Sequence, residues 1–226
     1  MSLNRSFKAA VFGVALAWLG GAAATDGDPP GRVGRLADLQ GAVSVYDDQK
    51  GEWAPAQRNR PLTGGDRLST SAGARAELQI GSTTLRLAGG SELELLRLDD
   101  ERMQFQLHAG SLALRVRSRD VADELEMLTA EARLRPLRAG HYRIDRRDDN
   151  TQAGVWRGQL RVDDGDGFDI DEGRRVELWR EGPRRGLRHV WTPMADDAFA
   201  AWVAREDAQD ERSAAQRHVS PEMTGA

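Results

Sequence analysis

The chain has no cysteine, and of its 32 basic residues only Lys8 and Lys50 are lysines. The first absence excludes disulfide scaffolds, Cys-type zinc sites and thiol nucleophiles. The second nearly excludes P-loop and serine–lysine chemistry, and neither G-x-x-x-x-G-K-[ST] nor S-x-x-K occurs. G-x-S-x-G and H-E-x-x-H are missing as well. With 30% charged residues, a multi-span membrane protein does not fit the composition. An excess of positive charge is also lacking: 36 acidic residues give a formal net charge of −4, which argues against a surface built to coat nucleic acid. What is present is 39% hydrophobic and 30% charged residues over 226 positions, the composition of a soluble globular protein of about one domain with extras.

The first 24 residues carry an address. Arg5 and Lys8 precede an apolar stretch from Ala9 to Leu19, followed by Gly20, Gly21 and the small residues Ala22, Ala23 and Ala24. A basic n-region, an apolar h-region and an A-x-A site in that order predict a signal peptide cleaved between Ala24 and Thr25. The mature product is then expected in the periplasm, not spanning the membrane, with 30 basic against 36 acidic residues.

From Val33 to Trp179 short runs alternate apolar and polar, as half-buried strands do. Ala76, Leu78 and Ile80 form one such set, followed by Leu85/Leu87, Leu93/Leu95, Met103/Phe105/Leu107, Leu112/Leu114/Val116, Tyr142/Ile144, Leu160/Val162 and Val176/Leu178. Between them stand Gly64-Gly65-Asp66, Gly89-Gly90, Asp99-Asp100, Asp148-Asp149-Asn150 and Asp163-Asp164-Gly165, residue types that tolerate the backbone of tight reversals. Turn signals about every ten residues predict an all-β protein, an antiparallel β-sandwich or rolled sheet of many short strands. After Thr192-Pro193 the period changes: Phe199, Trp202, Val203 and Glu206 predict one C-terminal amphipathic α-helix from about Asp196 to Asp210. Residues 211–226 lack periodicity and are expected to form a flexible tail.

Gly34-Arg35-Leu36 through Gly41-Ala42-Val43-Ser44-Val45, then Trp53, then Pro61 to Thr70 (PLTGGDRLST) resemble the opening of FecR-type domains. Ala74 to Leu87, Leu107 to Arg115, Arg138 to Arg143 and Val155 to Leu160 continue the resemblance, which covers roughly residues 32–182. It implies an all-β envelope domain of a family whose best-known members relay a surface iron-uptake signal to a membrane-associated sigma-factor system. Those members carry a cytoplasmic segment and a membrane span ahead of the domain, whereas only eight residues precede the apolar stretch here. The expectation is therefore an exported stand-alone member that does not itself hold a sigma factor. Its parts are a signal peptide (1–24), a linker (25–31), the β domain (32–182), a linker with the amphipathic helix (183–210) and the tail (211–226).

Candidate sites were weighed against plainer roles. Paired acids at Asp47/Asp48, Asp99/Asp100 and Asp148/Asp149 would suit glycoside hydrolysis, but adjacent aspartates in turns are accounted for by turn formation. His108, His141, His189 and His218 stand far apart with no partner at metal-binding spacing, so no metal is expected. The acidic, glycine-rich run Asp163–Gly173 departs from both calcium-loop patterns considered and reads as a hairpin turn between Leu160–Val162 and Val176–Leu178. The arginine clusters read mainly as a mixed-charge sheet face in solvent. Trp156 beside Arg143 and Arg157 is the most suggestive grouping for ligand binding, because an indole and two guanidinium forks suit a sugar ring or a protein hot spot. The function expected is a non-enzymatic binding module without cofactor, its partner an envelope protein in signalling or assembly, or else a cell-wall glycan. Nucleic acid is not expected, and the sequence sets no oligomeric state.

Overall fold

The computed structural model describes residues 31–47, 51–182 and 186–218. The signal peptide, the cleavage site at Ala24/Thr25 and the last eight residues lie outside them. The expected all-β architecture with one C-terminal helix is what forms. In chain order the strands are β1 (Gly34–Gln40), β2 (Val43–Asp47), β3 (Glu52–Pro55), β4 (Pro61–Leu62), β5 (Arg67–Thr70), β6 (Arg75–Ile80), β7 (Thr83–Leu87), β8 (Glu92–Leu98) and β9 (Met103–Val116). A short helix α1 (Arg119–Glu124) leads to β10 (Leu125–Leu128), β11 (Arg133–Pro136), β12 (Gly140–Arg147), β13 (Asn150–Arg157), β14 (Gln159–Val162), β15 (Phe168–Asp171), β16 (Arg175–Glu181) and β17 (Gly186–Thr192), and the chain continues into α2 (Ala198–His218).

The strands make two sheets. One runs β4-β1-β6-β7-β9-β12-β13-β16-β17, and the other β3-β2-β5-β8-β9-β10-β11-β14-β15. Strand β9 belongs to both. Its first half, Met103–Ala109, pairs with β8, and its second half, Gly110–Val116, pairs with β12. The transfer occurs at Gly110, where φ is +86° and a Cβ would stand 2.3 Å from the Ser91 Oγ, so only glycine fits the corner. Ser91, itself buried, pins that corner: its Oγ accepts from the Ser111 N–H at 2.9 Å and donates to the Ser111 carbonyl at 3.1 Å. After β9 the hairpins β10–β11, β12–β13, β14–β15 and β16–β17 fall alternately on the two sheets. One continuous core lies between the layers, built from the apolar phase of each strand, and every residue of the period-two sets named above is buried in it.

Several expectations need correction. All pairings among the described strands are antiparallel except β9 with β10, which run parallel across the turn made by α1. Helix α1 gave no periodic signal because it is six residues long, and Ser118 starts it by accepting from the Val121 N–H. The acidic run after Val162 does form a hairpin, but its return strand is β15, and Val176–Leu178 pairs with β13 in the other sheet. Residues 186–192, expected within a linker, are strand β17. Helix α2 does not stop near Asp210 but continues to His218, so the first part of the expected tail is helical.

Candidate functional site

The polar phase of the first sheet does not face water along its whole length. Helix α2 lies across it, with Phe199, Trp202 and Val203 buried against Ala113 and packed beside Ala88 and Trp156. Burying three such side chains contributes on the order of 1.5–3 kcal/mol each, which is what holds the helix down. Around this apolar contact, acids of the helix meet arginines that successive strands present on the same face. Arg86 on β7 is 1% exposed; it binds Glu77 at 2.7 Å, Asp207 at 2.6 Å and Asp210 at 3.0 Å. Arg115 on β9 reaches Asp207 at 3.0 Å and Glu211 at 3.0 Å. His141 on β12 stands 3.1 Å from the other Asp207 oxygen through Nδ1. Buried ion pairs roughly break even against their desolvation, so these contacts fix the seat of the helix more than they add stability.

Burial would push the Asp207 carboxyl up, but hydrogen bonds from His141 and Arg86 outweigh it and hold the group down at about 2. An ionised Asp207 accepts only, so the His141 Nδ1 carries a proton and donates it. Glu77, at the margin of the same network, is raised above its ordinary value because burial outweighs its pairing with Arg86. A second anchor holds the start of the helix. Asp197 takes both terminal nitrogens of Arg143, at 2.8 and 2.7 Å, and accepts from the Ala200 N–H at 2.9 Å, which caps α2. Those Arg143 bonds lower the Asp197 carboxyl to about 2, against a smaller opposing effect of burial.

The three residues singled out in the sequence are placed very differently. Arg143 is 2% exposed, and all three of its nitrogens are engaged, Nε with Asp145 at 2.8 Å and the two terminal nitrogens with Asp197. It anchors the start of the helix from beneath. Arg157 is exposed at the end of β13. Trp156 is half-buried and is the extra residue of a β-bulge: His141 pairs with Arg157 and Tyr142 with Val155, which leaves Trp156 unmatched. A bulge re-aims its side chain, and here the indole turns against α2 and walls a cavity of about 370 Å³ shared with His141, Val203, Ala204 and Asp207. In the sequence His141 stood out only as a possible metal ligand, and Asp197 and Asp207 only as positions within the predicted helix.

The other candidates resolve as structural groups. Asp163 is bound by Arg135 and Arg161, Asp164 by Arg180, and Asp169 by Arg161, so three of the acidic loop carboxylates are engaged with arginines. His108 pairs with Glu94 at 2.7 Å, and His189 stacks on Phe168 with ring centroids 4.4 Å apart. Among the described residues no three His, Asp or Glu side chains converge as metal ligands. Nor is any described helix long and apolar enough to cross a membrane.

Residues 66–161 match the family model described as FecR protein. That stretch is FecR-like. The matched FecR segment runs from β5 into β14, spanning both sheets and the shared strand β9, and it includes Arg86, Arg115, His141, Arg143 and Trp156. Helix α2, which covers their face, lies beyond it. No curated protein matches the chain.

Proposed function

We propose that this protein is a non-enzymatic, exported interaction module of the FecR type, acting in the periplasm, which recognises an envelope protein in signalling or envelope assembly by taking one of its extended segments onto the free edge of β17. The FecR segment supports a signalling role in general, and the leader sequence supports export. The observation that carries the docking mode is β17 itself. Seven residues pair with β16 in unbroken register, no described strand lies on the other side, and Val190 and Trp191 are 49% and 39% exposed. Natural edge strands are blunted by lysine, proline, bulges or brevity. Strand β17 has one charge, Arg188, but no lysine, proline or bulge, whereas the other sheet edges are short: β4 has two residues, and β3 and β15 have four each. Such an edge offers main-chain hydrogen bonds for affinity and alternate side chains for selectivity, as in β-strand addition.

The test is a photo-crosslinker placed at Val190 in the full chain, expressed in a host of its own type. A single dominant envelope protein should be trapped, and trapping should fall at least tenfold when Trp191→Lys places a charge on the edge. Trapping that ignores the lysine, or recovery of glycan fragments in place of protein, would overturn the strand-addition reading and favour a wall-binding module.

A further inference from the structure

The cavity beside Trp156 is lined by no residue of β17, and nothing in the docking reading uses it. It opens between the bulge of β13 and the first turns of α2, where alanines leave room beside the indole. Its volume of about 370 Å³ is near the lower end for small-molecule sites, enough for a ligand of one ring. Polar groups in its wall are His141, Asp196 and Asp207. Since the His141 Nδ1 donates to Asp207, Nε2 is the ring atom left to accept or donate.

Electrostatics set the sign of what would enter. The network behind the cavity joins two cations, Arg86 and Arg115, to four carboxylates, Glu77, Asp207, Asp210 and Glu211. Asp196 adds an exposed carboxylate at the rim. The N-terminus of α2, which would otherwise attract an anion, is already capped by Asp197. An indole face attracts cations more strongly than any other side-chain ring. We infer that this cavity is a binding site for a protonated primary amine carried on a single small ring, the amine held over Trp156 and toward Asp196, with His141 accepting a hydrogen bond from the ligand. Two sources share this chemistry, an amino sugar with a free amine and a simple cyclic amine.

The full chain, labelled with 15N, would be titrated with glucosamine, cyclohexylamine and N-acetylglucosamine while the Trp156 indole and His141 signals are followed by NMR. Saturable shifts confined to the cavity are expected with one or both amines, and at least tenfold weaker binding with N-acetylglucosamine, whose nitrogen carries no charge. Preference for glucosamine would assign the amino-sugar source, preference for cyclohexylamine the simple amine, and equal binding the amine alone as determinant. Ala204→Leu, which puts bulk into the cavity with a side chain that helices accept well, should abolish the shifts. Asp196→Asn, an exposed change that should leave the fold intact, should weaken binding several-fold. Shifts absent with both amines, equal with the acetylated sugar, or unchanged in Ala204→Leu with a native-like spectrum would overturn the inference.

Discussion

Arg143 shows how a single side chain changes meaning once its cover is known. It occupies the polar phase of β12 between Tyr142 and Ile144, both buried on the core side, so alternation correctly places it on the outer face. Alternation states which face a residue takes and is silent about what lies on that face. The covering acids are remote in sequence: Asp197 stands 54 positions away from Arg143, and Asp207 121 positions from Arg86. Local pattern therefore has no access to either pair, and an arginine under a helix has the same sequence signature as one in solvent. Removing one member of such a pair leaves an uncompensated buried charge. Arg143→Ala should lower stability by about 3 kcal/mol in urea unfolding, since Asp145 and Asp197 lose their common partner. Arg157→Ala, at an exposed position nearby, should shift it by less than about 0.5 kcal/mol. The corner at Gly110 is a second sensitive position. Gly110→Ala places a Cβ against Ser91 at a positive φ, and a loss of at least about 2 kcal/mol is expected in the same assay.

At the scale of the element, α2 was visible in the sequence because Phe199, Trp202 and Val203 form one apolar stripe. Its full length was not, because residues 211–218 carry no apolar repeat to mark them. The acids that seat the helix include two carboxylates held at about 2, Asp197 and Asp207, and neutralising either leaves buried arginine charge uncompensated. Both lie below the ordinary value of 3.8, so each contributes stability that is fully present above about pH 4 and is lost as pH falls toward 2. For the buried Asp207 this amounts to about 2 kcal/mol. Glu77 acts in the opposite sense: with its pKa raised, its contribution is gained as pH falls through that value, which delays the loss. The helix is therefore expected to detach below about pH 4, seen as a change in Trp202 fluorescence that precedes loss of the sheet signal in circular dichroism. Asp207→Asn should remove much of this acid step and lower stability at pH 7.

At the scale of the whole molecule, the sequence announced the two-layer β architecture because hairpin turns and period-two runs are local. The order of strands was not legible, since it depends on which hairpin falls on which layer. Strand β9 joins the two sheets covalently and through hydrogen bonds on both halves. With one core between the layers and no seam separating them, the sheets should unfold together. Hydrogen exchange on the full chain should accordingly show the slowest amides of β8, β9 and β12 opening with the same free energy, and Gly110→Ala should lower all of them equally.

The position of α2 in chain order has a consequence for how the protein is made. Every arginine that the helix neutralises, at positions 86, 115 and 143, emerges from the ribosome long before residues 197–211. Until those residues arrive, a growing chain has only Glu77 and Asp145 to set against these guanidiniums. Completion of the fold is thus timed by the delivery of its last helix, and a product clipped ahead of Asp197 would leave Arg86, Arg115 and Arg143 without the acids that the helix supplies.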